Sequence, residues 1–144
     1  MGAVHNHVGQ CVTDLDRSVR FYCEAIGFER DRELTLPDTV IGPFLGIEPA
    51  VGMTAVYLKL DDFQLELMGF EGDHHPPAAA RVFDEPGLTH LSISVDDLGS
   101  AVAKVAELGG SVVHSSPVAA MVRDPDGQLL ELLPMSYRSR RDTL

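Results

Sequence analysis

Two histidines and two glutamates stand at matching positions of a sequence that repeats itself. His7 and His90 each begin an apolar stretch, and they lie 83 positions apart. Glu66 and Glu131 each occupy the middle of a Leu-Glu-Leu triplet that closes its copy of the repeat. Imidazole and carboxylate ligands without thiolates suit Zn²⁺, Ni²⁺, Co²⁺, Mn²⁺ or Fe²⁺. The repeat therefore predicts that His7, Glu66, His90 and Glu131 hold one divalent metal ion at the seam of two duplicated units.

One such residue alone would not support that prediction. An isolated glutamate in a strand is best interpreted as pointing to solvent, because burying an unpaired carboxylate is very costly. An isolated histidine is best interpreted as structural. The matched placement of all four residues favours a metal site. We interpret His74 and His75, which precede two prolines, as part of a solvated linker and not as further ligands.

The hydrophobic pattern predicts the elements that position these side chains. A period of two indicates a strand over 6–12, and Asp14 and Gly27 suit the start and the end of the helix that follows. A strand and a hairpin that turns at Asp61-Asp62 complete the first copy. The same order then recurs, so we expect an α+β fold of two tandem βαβββ modules. The predicted divisions are 1–70 for the first module, 71–87 for a linker, 88–135 for the second module and 136–144 for a polar tail.

The segment 36–52 departs from this regular pattern. It contains three prolines and three glycines, which predict a loop or a short broken helix. Its apolar residues, Val40 and Phe44 among them, are numerous for a solvated loop. We expect them to cover either the protein core or a substrate pocket.

Composition narrows the class of protein. Of the 144 residues, 44% are hydrophobic and 23% charged, as in a globular domain. The net charge of −11 argues against nucleic acid and anionic membranes as partners. No apolar run is long enough to span a membrane, and the first residues do not resemble a signal peptide. Cys11 and Cys23 are too few for a disulfide framework, and they predict reduced, mostly buried thiols in a cytoplasmic protein.

Four segments together resemble one known superfamily. They are HVGQCVTDLDRSVRFYCEAIGF, QLELMGF, GLTHLSISVDDLGSAVAKVAELGG and VRDPDGQLLELLP, and the resemblance extends from His5 to Pro134. The chain resembles the vicinal oxygen chelate superfamily, which includes glyoxalase I, methylmalonyl-CoA epimerase, extradiol dioxygenases and antibiotic-resistance proteins. The resemblance implies a curved mixed sheet around a metal cleft, a small-molecule substrate and a homodimer.

The resemblance also implies a chemistry. The ligands carried over are His7, Glu66, His90 and Glu131, a set most like that of bacterial glyoxalase I. Proteins of that type abstract a proton next to a carbonyl, and a divalent metal ion stabilises the enediolate that results. Glu131 is then the first choice for the general base, with Glu66 as a second proton carrier. We therefore expect a lyase or isomerase that acts on a small α-oxygenated carbonyl compound.

Two other functions and one question about the substrate stay open. An iron-dependent dioxygenase of an aromatic compound is one alternative, although such enzymes typically have histidine in place of Glu66. An antibiotic- or small-ligand-binding resistance protein is the other, although bleomycin-binding members lack the metal ligands. Where glyoxalase I commonly carries a Thr-x-Asn segment that helps to bind glutathione, this chain has Met68-Gly69-Phe70. A carbonyl substrate other than a glutathione adduct is therefore equally consistent with the sequence.

Overall fold

The computed structural model describes residues 2–72 and 82–137, and within them two four-stranded sheets. The first sheet consists of β1 (Val8–Cys11), β2 (Glu29–Leu36), β3 (Met53–Leu60) and β4 (Phe63–Phe70). The second consists of β5 (His90–Val95), β6 (Ser111–Ser115), β7 (Ala120–Arg123) and β8 (Leu129–Pro134). The helices are α1 (Leu15–Phe21), α2 (Asp38–Leu45) and α3 (Leu98–Glu107).

The two sheets have the same topology. Their strand orders are β1-β4-β3-β2 and β5-β8-β7-β6. The pairs β1–β4 and β5–β8 are parallel, and the remaining pairs are antiparallel. Each sheet belongs to its own compact unit. The predicted α+β fold of two βαβββ modules is confirmed, whereas the predicted linker and tail lie partly outside the described residues, as do His74 and His75.

Local signals explain where the helices begin and end. The Asp14 carboxylate accepts a hydrogen bond from the backbone N–H of Arg17 at 3.0 Å, which satisfies one of the free donors at the start of α1. Asp97 caps α3 in the same way, through the N–H of Ser100 at 2.9 Å. After α1 the chain continues as a π-helical turn, Tyr22–Ile26, which ends at Gly27 with a φ of 101°. Glycine accepts this left-handed conformation without a steric penalty.

In each unit the Leu-Glu-Leu strand has leucines on the core face of its sheet and a glutamate on the opposite face. Leu65 and Leu67 of β4 are fully buried, and α1 packs against β3 and β4. Leu130 and Leu132 of β8 are likewise fully buried, and α3 packs against its own sheet. Because successive strand residues point to opposite faces, the glutamate between the leucines faces away from them. The triplet thus anchors the core and presents a carboxylate from the other face of its sheet.

The segment 36–52 is more ordered and less buried than expected. Asp38–Leu45 forms a helix despite Pro43, and the helix ends at Gly46 with a φ of 67°. Ile41 packs into a core cluster, as expected. Val40 and Phe44 are exposed, so the expectation that the apolar residues of this segment cover the core is wrong for them. An eight-residue helix buries only one narrow stripe, and these residues lie outside it.

The two cysteines are less buried than the sequence predicted. The thiols of Cys11 and Cys23 are not joined in a disulfide, and Cys11 is exposed whereas Cys23 is half-buried. The prediction of mostly buried thiols is therefore wrong. Cys11 lies on β1, an edge strand of the first sheet. None of the helices within residues 2–72 and 82–137 is long and apolar enough to cross a membrane.

Candidate metal centre

The first histidine–glutamate pair lies in the first unit. His7 directly precedes β1, and Glu66 lies in the middle of β4, the parallel neighbour of β1. Nε2 of His7 is 3.1 Å from Oε2 of Glu66. Gly9 is the β1 residue in register with Glu66, and a β-carbon at Gly9 would be 3.3 Å from that same Oε2. A side chain at Gly9 would therefore crowd this oxygen and the Met68 side chain, whose Cε would be 3.2 Å from the added β-carbon.

The second pair repeats this arrangement in the second unit. His90 is the first residue of β5, and Glu131 lies on β8, the parallel neighbour of β5. Nε2 of His90 is 3.8 Å from Oε2 of Glu131. Ser92 occupies the place that Gly9 has in the first unit, and its hydroxyl donates a hydrogen bond to Oε2 of Glu131 at 2.5 Å.

The other ring nitrogen of each histidine is held by the residue that precedes it. Nδ1 of His7 is 2.6 Å from Oδ1 of Asn6, and Nδ1 of His90 is 2.8 Å from Oγ1 of Thr89. An amide oxygen only accepts hydrogen bonds, so Nδ1 of His7 carries a proton. A histidine fixed in this way directs Nε2 at its glutamate, which is the orientation that second-shell partners impose on metal-binding histidines.

The chemistry of both pairs fits a divalent metal ion. Two ligands about 2.1 Å from an ion and at right angles to each other are about 3.0 Å apart. The 3.1 Å separation in the first pair matches this value, and the 3.8 Å separation in the second is somewhat wider. Each pair supplies two donors, and no group of three or more His, Cys, Asp or Glu side chains is assembled in the part of the chain that the structure describes. Four ligands would require both pairs, as the repeat predicts.

Tyr57 is a polar residue of this site that the sequence analysis missed. It lies opposite Glu66 in the β3–β4 hairpin, and its hydroxyl donates a hydrogen bond to Oε1 of Glu66 at 2.6 Å. Tyr57 is buried, and burial raises the pKa of its phenol, as does the hydrogen bond to Glu66. The phenol is therefore protonated at neutral pH and acts as a donor. The turn at Asp61-Asp62 could have revealed it, because a two-residue turn places Tyr57 beside Glu66.

The two glutamates differ in their surroundings. The Glu66 side chain is 10% exposed, whereas that of Glu131 is 33% exposed. The β7 residue opposite Glu131 is Met121, at the place that Tyr57 occupies in the first unit. A thioether donates no hydrogen bond, so Glu131 has the Ser92 hydroxyl from one neighbouring strand and no phenol from the other.

Duplicated βαβββ modules that each place a histidine beside a glutamate define a glyoxalase-like protein. The family model of the Glyoxalase/Bleomycin resistance protein/Dioxygenase superfamily matches residues 5–132, and the chain belongs to that superfamily. This membership confirms the resemblance to the vicinal oxygen chelate proteins that the sequence motifs indicated.

Individual relatives agree with the family assignment. A probable lactoylglutathione lyase of Synechocystis sp. is 28% identical over 134 residues, which cover 88% of this chain and 92% of that protein. Human mitochondrial methylmalonyl-CoA epimerase is 27% identical over 137 residues, which cover 88% of this chain and 71% of the epimerase. A glyoxalase family protein from Bacillus cereus has the same fold, with a TM-score of 0.72 at 19% identity over 90% of this chain and 92% of that one.

Proposed function

We propose that this protein is a metal-dependent lyase or isomerase of the glyoxalase type, which removes a proton next to a carbonyl group and returns it. The observation that carries the proposal is the matched pair of His–Glu contacts, with Nε2 of each histidine directed at a carboxylate and Nδ1 held by the preceding residue. The relationship to a lyase and an epimerase supports it.

The two pairs would together hold one divalent ion, with His7, Glu66, His90 and Glu131 as ligands. When bound, such an ion supplies Lewis-acid stabilisation of the negative charge that develops on the substrate oxygens. Proton transfer would be carried out by the glutamate side chains. We assign Glu131 as the general base, because its carboxylate is the more exposed of the two. Glu66 serves first as a ligand and second as a proton carrier.

The proposed substrate is a small α-oxygenated carbonyl compound. The names of the lyase and epimerase relatives both denote thioesters, in which a carbonyl lies next to a carbon that carries hydrogen. Met68-Gly69-Phe70 at the end of β4 offers no side-chain hydroxyl or amide for a glutathione group. A substrate other than a glutathione adduct is therefore at least as consistent with the chain, and the two thioesters are useful test compounds because only one of them carries glutathione.

The test is hydrogen exchange in deuterated water. Protein loaded with Zn²⁺, Ni²⁺, Co²⁺, Mn²⁺ or Fe²⁺ is incubated with lactoylglutathione or methylmalonyl-CoA, and deuterium entering next to the carbonyl is followed by NMR. We expect one ion per chain and exchange that stops when a chelator removes the ion. His7→Ala and His90→Ala come from different pairs, and each should abolish both tight binding and exchange.

Three results would contradict the proposal in whole or in part. A wild-type protein that binds no divalent metal at micromolar concentration would favour the ligand-binding alternative. Iron binding with oxygen consumption and no hydrogen exchange would favour the dioxygenase. Two ions per chain, each lost through only one of the histidine substitutions, would show that the pairs act separately and would remove the four-ligand site.

A further inference from the structure

Tyr57 holds one of the two oxygens of Glu66 while the other faces His7. Its hydroxyl is 2.6 Å from Oε1, and Nε2 of His7 is 3.1 Å from Oε2. We propose that Tyr57 is a positioning residue that restricts Glu66 to metal coordination through Oε2 alone. The inference rests on the metal site of the proposed function and adds to it the residue that sets the geometry of one ligand.

The hydrogen bond gives the two oxygens of the Glu66 carboxylate different partners: Oε1 accepts from Tyr57, and Oε2 faces His7. A carboxylate binds a metal ion through one oxygen or through both. A phenol that donates to Oε1 occupies the oxygen that a two-oxygen contact would need, and it keeps the carboxylate from rotating. Oε2 then stays directed toward the histidine, on the side where Gly9 has no side chain to obstruct it.

Tyr57 is itself held firmly enough for this role. Its ring belongs to an apolar cluster with Ile41, Met53 and Ala55, and Tyr57 is 7% exposed. The guanidinium carbon of Arg32, the residue in register on β2, lies 3.9 Å from the ring centroid. Such a cation–π contact restrains the ring from its outer side. A donor whose own side chain is packed in place orients its acceptor more strictly than a mobile one does.

In the described part of the second unit, the position equivalent to Tyr57 holds no hydrogen-bond donor. Met121 of β7 lies opposite Glu131 and corresponds to Tyr57. His114 of β6 lies opposite Met121 and corresponds to Arg32. Tyr57 therefore makes the duplicated glutamates unequal, because a buried phenol holds Oε1 of Glu66 whereas the hydrogen bond to Glu131 comes from the exposed hydroxyl of Ser92 and reaches Oε2. This difference leaves Oε1 of Glu131 without the phenol that holds Oε1 of Glu66.

The experiment compares Tyr57→Phe with Tyr22→Phe by titration with Co²⁺. Tyr22 is a matched control in the same unit, because its buried phenol donates to Oε1 of Gln10 at 3.0 Å. Removing an outer-shell partner of a ligand typically weakens metal binding by about 10–100-fold. We expect that loss in Tyr57→Phe, together with a changed visible absorption spectrum of the bound Co²⁺. Tyr22→Phe should keep the wild-type affinity and spectrum.

Thermal unfolding separates positioning from stability. A purely structural tyrosine would lower the unfolding temperature of the metal-free protein, whereas a positioning residue also lowers the gain in that temperature on adding Co²⁺. Wild-type affinity and spectrum in Tyr57→Phe would overturn the proposal, as would equal losses in both variants. Should Tyr57→Phe not fold, Arg32→Gln retains the phenol but releases its ring, and affinity there must fall several-fold for the proposal to stand.

The same measurements distinguish this inference from the proposed function. Wild-type protein that binds Co²⁺ but exchanges no substrate hydrogen contradicts the proposed reaction, and the role of Tyr57 is still decided by the affinities. Wild-type binding and exchange with an unaffected Tyr57→Phe variant contradicts the inference alone. Absence of Co²⁺ binding in the wild type contradicts both.

Discussion

At the scale of single residues, two carboxylates that occupy equivalent positions of the repeat have different surroundings. Glu66 accepts a hydrogen bond from the buried phenol of Tyr57. Glu131 accepts one from the hydroxyl of Ser92, an exposed residue on β5. A general base has to reach its substrate, and this favours the more exposed side chain. The proposed division of roles therefore rests on the different neighbours of the two glutamates.

Glu131→Gln should separate metal binding from proton transfer. The amide keeps an oxygen for the metal but no longer accepts the proton, so exchange at the substrate carbon should fall by about 10²–10⁴-fold. Metal occupancy, measured on the same samples, should fall far less. Glu66→Gln is the comparison variant and should lose relatively more metal. Exchange at the wild-type rate in metal-loaded Glu131→Gln would exclude Glu131 as the base and assign that role to Glu66.

At the scale of elements, a helix packed on one face of each sheet fixes the strand that carries the glutamate. The buried leucines on either side of the glutamate pack in the core beneath the helix, which fixes the strand and therefore the carboxylate. A turn also contributes in the second unit. The buried Asp124 carboxylate accepts hydrogen bonds from the N–H groups of Asp126 and Gln128 at 2.9 and 2.8 Å. These bonds fix the β7–β8 turn that leads into the strand of Glu131.

Ser18→Ala in α1 should stabilise the fold. Within residues 2–72 and 82–137, the Ser18 hydroxyl is the one buried side-chain polar atom without a hydrogen-bond partner. A buried unsatisfied polar group costs about 1–3 kcal/mol, and alanine also has the higher helix propensity. We expect the free energy of unfolding to rise by about 1 kcal/mol in urea titrations. Ser100→Ala, at an exposed position of α3, controls for propensity alone, and an equal gain there would contradict the explanation.

At the scale of the whole molecule, each sheet within residues 2–72 and 82–137 has edge strands that pair on one side only, among them β2 and β6. All residues of β6 are exposed, including Val112 and Val113, and nearly all of β2 is exposed as well. Exposed apolar edges invite pairing with another chain unless something covers them. Closed two-fold dimers are the commonest way for a soluble protein to bury such surface.

We therefore expect a homodimer in solution. Sedimentation equilibrium at micromolar protein concentration should give twice the chain mass of 15.6 kDa. The measurement should be repeated with and without the divalent ion, since an ion held between chains would strengthen the dimer. A single species at the chain mass under both conditions would contradict the expectation.

The sequence by itself determined the order of the elements and the residues that could bind metal. The caps Asp14 and Asp97, the stop at Gly27 and the turn at Asp61-Asp62 act through neighbours a few positions away. Such signals are local. The helix cap, for example, occurs once in each copy of the repeat, as Asp14 and as Asp97. The period of two in the Leu-Glu-Leu strands was enough to place leucines and glutamate on opposite faces.

Tertiary structure alone decided which side chains surround each carboxylate and which apolar residues are buried. The ring of Tyr57 is held by Ile41 of α2 and by Arg32 of β2, and no local pattern brings these three residues together. The exposure of Cys11 and Phe44 depends equally on which elements cover them. Burial and hydrogen-bond partners arise from contacts between residues distant in sequence, whereas periodicity and turn chemistry report only on the chain's immediate neighbourhood.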